Sequence, residues 1–182
     1  MSRDWYIVYT SNRKEKKVVT ALNQKKIKNY FPSNILKSAD SSGPQVTKKA
    51  LFKTYVFVYI TEAEINLVKQ IPGVIHFLHW LDKPAIIQNE EIEAIQQIST
   101  TYSNISIEKS AVNRQNKAVI IEDTVFSSKG NSVNRKLHTL TVVLPTMGYT
   151  LKAEREAGKA LFLEEKQHDW VDTVNNTPSY LQ

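Results

Sequence analysis

The sequence predicts an α+β chain in two parts: an N-terminal antiparallel sheet with flanking helices, then a small β-barrel. Before residue 100 the segments follow the order β-α-β-β-α-β-α, with a hairpin in the middle. Within them Ala50 to Ile60 is strongly strand-like and apolar on both faces. Beyond residue 117 short strand candidates alternate with turn signals at Gly130, Pro145 to Gly148 and Gly158.

Trp5 to Tyr9 is a short aromatic and apolar run bounded by Asp4 and Thr10-Ser11-Asn12, which reads as a first strand and turn. Arg13 to Lys28 contains neither Gly nor Pro, and helical spacing places Val18, Val19 and Leu22 in one sector that can face a sheet. Tyr30-Phe31-Pro32 stops that helix. Ile35 to Lys37 and Val46 to Ala50 then form the arms of a hairpin around the polar loop 38–45.

In the central strand, alternation puts Val56, Val58 and Ile60 on one side and Tyr55, Phe57 and Tyr59 on the other. The aromatic side suits either a second core or a partly open surface that another protein covers. Thr61 to Glu64 has the pattern of a capping box and opens a short helix with Ile65, Val68 and Ile71 inward, stopped by Pro72-Gly73. Val74 to Trp80 returns as a strand. A third helix starts with Asn89 as N-cap, Glu90 and Glu91 in its first turn, and a stripe of Ile92, Ile95 and Ile98.

Residues 101–116 are rich in Ser, Asn and Thr and read as a linker after a first domain of residues 1–100. Lys117 to Glu122, Leu137 to Leu144, Tyr149 to Ala153 and Ala160 to Glu164 are the strands expected for a barrel over 117–166, with 167–182 as a flexible tail. Glu154 to Trp170 is ambiguous between strand and helix because it is full of good helix formers.

Composition narrows the function classes. The chain has 182 residues, 41% apolar and 23% charged, with no cysteine for a disulfide or thiolate metal site. The start lacks the pattern of a signal peptide, and no apolar stretch approaches the ~20 residues of a membrane span, so a soluble cytoplasmic protein without membrane contact is expected. The net charge of +6 is uneven: residues 1–53 hold twelve Lys or Arg against Asp4, Glu15 and Asp40, a local net of +9. Such a lobe attracts polyanions, although lysines also serve as a solubilising flank. Lys14, Lys17, Lys25 and Lys28 gather in one arc of the first helix, beside Arg13, while Lys37, Lys48 and Lys49 flank the hairpin loop.

Catalytic constellations are absent. His76 and His79 fall on opposite faces of a strand, His138 and His168 are isolated, and Glu62/Glu64 and Glu90/Glu91 are explained by helix dipoles. Neither an enzyme nor a cofactor or metal is expected.

Trp5-Tyr6-Ile7-Val8-Tyr9, Leu51-Phe52 followed by Tyr55-Val56-Phe57-Val58, Ile71-Pro72-Gly73-Val74, and Pro84 ahead of Glu90-Glu91 together resemble the N-terminal domain of the NusG family over residues 4–98. The resemblance implies a transcription elongation factor that sits on the clamp helices of bacterial RNA polymerase, with Tyr9, Phe52, Tyr55 and Phe57 as the polymerase-binding patch. It places Arg13, Lys14, Lys17, Lys25, Lys28, Lys48 and Lys49 where non-template DNA would be contacted. The strands beyond 117 resemble the family's five-stranded, SH3-like KOW barrel, which implies a ribosomal protein or termination factor as a further partner, in a monomer. Departures from the family pattern, Lys53-Thr54 in place of the usual Pro-Gly, Asn12-Arg13-Lys14 in place of a glycine after the first strand and Asp123 to Phe126 where Gly-Pro is common, suggest a specialised relative resembling RfaH-like or capsular polysaccharide operon antiterminators. One relative of that type lays its C-terminal domain as helices over the patch, which the ambiguity of 154–170 also permits. A stand-alone RNA- or ribosome-binding module is the alternative.

Overall fold

The computed structural model describes residues 2–41, 43–113, 117–127 and 135–156. At its centre, β1 (Asp4–Thr10) lies antiparallel to β5 (Tyr55–Ile60), with Ile7 opposite Phe57 and Tyr9 opposite Tyr55. β2 (Asn29–Tyr30) adds to the far side of β5, while β6 (Val74–Phe77) and β9 (Ile86–Ile87) share the other edge of β1. β6 leads into a tight hairpin of β7 (His79–Trp80) and β8 (Lys83–Pro84), so the expected strand 74–80 is broken at Leu78.

On one face of this sheet, Tyr6, Val8, Val56, Val58 and Ile60 pack against Val18 and Leu22 of α1 (Glu15–Gln24) and Ile65 and Val68 of α2 (Ile65–Lys69). Full burial of each such side chain contributes about 1.5–3 kcal/mol, so this layer is a main source of stability. The capping box is present: Glu64 Oε2 accepts from Thr61 N–H at 2.8 Å and Thr61 Oγ1 at 2.9 Å. Gly73 (φ +104) lets the loop touch α1, since a Cβ there would meet Val18 Cγ2 at 3.1 Å.

α1 ends at Gln24, four residues short of the expected end. Lys26 takes φ +56, its N–H donates to Asn23 O, and Ile27 N–H reaches back to Leu22 O, with buried Ile27 and Leu22 in one cluster. This is a Schellman stop with lysine in the position where glycine is usual. The hairpin of β3 (Ser33–Asp40) and β4 (Gly43–Ala50) is longer than expected, because pairing continues to Asp40 and Gly43 and consumes most of the loop.

The other face differs most from the sequence reading. Trp5, Ile7, Phe57 and Ile87 are covered by Ile92, Ile95 and Ile98 of α3 (Asn89–Thr101), and the same cluster runs on through Leu140, Val142, Leu144, Leu151 and Ala153. These last residues belong to a second antiparallel sheet, ordered β10 (Ser106–Lys109), β13 (Tyr149–Glu156), β12 (Arg135–Leu144) and β11 (Val119–Ser127). Among the described residues this sheet has four strands. The candidate strand 160–164, the ambiguous helix beyond Glu156, Gly130, Gly158 and the tail lie outside the described residues.

The stretch read as a linker is held by specific bonds. Asn34, buried on β3, donates its amide to Ile105 O at 2.7 Å and accepts from Ile105 N–H at 3.1 Å. Asn104 makes the matching pair to the backbone of Lys37, at 2.8 and 3.1 Å. Two asparagine side chains thus substitute for a strand ladder, and the chain continues directly into β10 on β13.

Candidate functional site

The four aromatics singled out by sequence are brought together, but not as an open patch. Tyr9 and Tyr55 are cross-strand neighbours with rings 4.7 Å apart edge to face, and their hydroxyls lie at 2.9 Å. Phe52, in the loop before β5, stacks on Tyr55 with centroids 6.0 Å apart and meets Phe57 edge on at 6.1 Å. Tyr9 and Tyr55 are half-buried, whereas Phe52 is 4% exposed and Phe57 fully enclosed. In this arrangement Phe57 lies enclosed beneath the cluster as its floor.

The lid is Tyr149, the first residue of β13. Its ring lies 5.6 Å from Phe52 and 6.4 Å from Tyr55, and its hydroxyl is 3.2 Å from that of Tyr55. Burial, followed by the hydrogen bonds to Tyr149 and Tyr9, pushes the Tyr55 phenol far above its ordinary pKa. The three hydroxyls, joined in a row by these hydrogen bonds, link two strands of the first sheet to one of the second.

Of the cations singled out, Arg13, Lys14, Lys17 and Lys25 project from α1 and the loops at its two ends, all exposed. Lys28 is also exposed, yet its ammonium sits over the rings of Tyr59 and Trp5, at 5.1 and 5.7 Å, which ties it to the sheet. Lys48 and Lys49 belong to a separate element, β4, where they pair with Ile35 and Asn34. The structure thus keeps two groups of lysines, on α1 and on the hairpin.

The family model described as transcription termination factor nusG matches residues 3–96, the span that holds the sheet, the aromatic cluster and both lysine groups. The chain belongs to the NusG family. That family is one of transcription factors rather than enzymes. A solved structure of Thermotoga maritima NusG, concerned with domain interaction, is similar at 19% identity over 86% of this chain and 93% of that chain, with a TM-score of 0.43. No curated protein matches.

Against the NusG pattern, the Lys53-Thr54 departure has a visible consequence. Thr54 adopts φ +63, the left-handed conformation suited to glycine, and is fixed there by its N–H donating to Glu15 Oε1 at 3.1 Å. The loop that presents Phe52 therefore keeps a glycine-like turn without a glycine.

Two residues that sequence reading passed over stand at the contact between the two sheets. Tyr149 stood in an expected strand, but nothing local marks which surface it meets. Glu91, which the helix dipole explains in the sequence, is fully buried, and its Oε1 accepts from Thr146 N–H at 2.7 Å. Burial pushes its carboxyl pKa up, against the pull of Thr146 and of the Met147 and Gln88 backbone. Among the described residues no cluster of three or more His, Cys, Asp or Glu could hold a metal, and no helix is long and apolar enough to cross a membrane.

Proposed function

We propose that this chain is a transcription elongation and antitermination factor that docks on the clamp helices of bacterial RNA polymerase through Tyr9, Phe52 and Tyr55. The observation that carries the reading is the make-up of the covered cluster. Three tyrosine hydroxyls lie within the contact between the two sheets. A tyrosine, apolar in its ring and polar at its tip, suits surfaces that are covered at one time and wet at another. Phe52, Tyr9 and Tyr55 then form the docking face once Tyr149 and its strands move aside, with Phe57 supporting them from below.

In this reading the lysines of α1 and the hairpin follow the DNA of the elongation complex, as ordinary phosphate contacts. Family membership and the local net charge of +9 support it. The factor is a specialised relative of RfaH-like and capsular polysaccharide operon type, and its C-terminal sheet takes a ribosomal protein or a termination factor. Binding of the full chain to a clamp-helix coiled coil, compared with Tyr55→Ala, tests the docking face. Loss of binding on substitution supports it. Equal binding by both proteins sinks it, and binding that follows only the lysines and salt favours an RNA- or ribosome-binding module.

A further inference from the structure

The turn between β12 and β13, Pro145 to Gly148, is buried throughout. Turns normally stay at the surface because their backbone polar groups need water or a partner. Here Ser110 N–H donates to Gly148 O, Asn113 N–H to Pro145 O and Gly148 N–H to Leu144 O, all at 2.9 Å. These partners belong to segments that run with the C-terminal sheet. The fourth bond does not: Thr146 N–H donates to Glu91 Oε1, at 2.7 Å, from the first turn of α3 in the N-terminal domain.

Glu91 is an unusual side chain to bury at such a junction. It is 0% exposed, its Oε2 has no hydrogen-bond partner, and no salt bridge reaches it among the described residues. The helix N-terminus favours a negative charge there, but a fully enclosed carboxylate still loses much hydration. An apolar residue would fill the space and leave Thr146 N–H without an acceptor. A carboxylate satisfies that donor when the sheets are together and regains water when they part. The junction is therefore specific in position and less costly to open than an apolar one.

We propose that Glu91 is a latch, a positioning residue that fixes the β12–β13 turn on α3 and thereby holds Tyr149 over Tyr55. Tyr149 follows Gly148 directly, so the place of its ring is set by the place of the turn. The latch concerns how the two sheets attach, and it stands or falls separately from polymerase docking.

Amide hydrogen exchange on the full chain, with Glu91→Ala and Glu91→Gln beside the unsubstituted protein, tests it. Removing the acceptor is expected to speed exchange of Thr146 and of the β12 and β13 amides by about tenfold or more, while β1 and β5 keep their protection. Glu91→Gln retains a side-chain acceptor and is expected to stay within about threefold of the unsubstituted chain. Unchanged β12 and β13 protection in Glu91→Ala overturns the proposal. So does equal loss of protection in β1 and β5, which makes Glu91 a support of the N-terminal domain, or identical behaviour of the two variants.

Discussion

The hydroxyls of Tyr55 and Tyr149 lie 3.2 Å apart although the residues are 94 positions distant in sequence. Tyr55 also holds the Tyr9 hydroxyl at 2.9 Å, so one half-buried phenol joins the central strands of the first sheet to the leading residue of β13. The contact between sheets is polar at the aromatic cluster and at Glu91 and Thr146, and apolar where Leu140, Val142 and Leu144 join the isoleucines of α3 in one core.

Tyr149→Phe removes one hydroxyl while keeping the ring, and Tyr55 retains Tyr9 as a partner. A loss of about 0.5–1.5 kcal/mol is expected for a single neutral hydrogen bond. Urea unfolding of the two proteins, with equal slopes, measures it.

Thr54 and Lys26 both hold left-handed backbone, at φ +63 and +56. Relief of strain at a β-branched residue exceeds the entropy that glycine adds to the unfolded chain, so Thr54→Gly is expected to stabilise by about 0.5–1 kcal/mol. Lys26→Gly, at a Schellman position, is expected to act in the same direction. Thermal midpoints that fall in both variants would remove the strain argument.

Burial raises the Glu91 pKa in the folded chain, so the folded state binds that proton more tightly than the unfolded one. The cost of the buried charge is then fully present above the folded pKa and fades as pH falls through it toward the ordinary carboxyl value. Glu64 works in the opposite sense: the Thr61 backbone N–H lowers its pKa, and its contribution is lost on acidification. Comparing unfolding midpoints of Glu91→Gln with the unsubstituted chain isolates the first effect. The variant is expected to gain relative to the unsubstituted chain as pH rises from about 5 to about 8, and a difference independent of pH speaks against it.

For the lysines of α1, replacing Lys17 and Lys25 by Gln is expected to weaken duplex DNA binding uniformly across sequences. The slope of log affinity against log salt should fall by roughly 0.9 for each phosphate contact removed. An unchanged slope would make these side chains a solubilising flank.

Much of the N-terminal domain was legible because its signals are local. The two-faced strand 55–60, the Thr61 to Glu64 capping box, the isoleucine stripe of α3 and the Pro72-Gly73 stop all show in spacing and residue type. What could not be read depends on distant partners. Asn34 and Asn104 look like ordinary polar residues until each meets backbone 67 to 71 positions away. Phe57 alternates with Val56 as an exposed aromatic would, yet it is enclosed within a cluster that includes the rings of Phe52 and Tyr30 and the isoleucines of α3. Glu91 fits a helix dipole so well that a local reading stops there.

Affinity of the full chain for the clamp-helix coiled coil of a bacterial RNA polymerase, with Tyr149→Ala and the Tyr55→Ala/Tyr149→Ala double variant beside it, tests the docking claim most directly. Uncovering the cluster through Tyr149→Ala is expected to tighten binding by about tenfold, and loss of Tyr55 as a central anchor to weaken it again by about 2 kcal/mol or more. Folded proteins that bind equally weakly in all three forms would contradict the account.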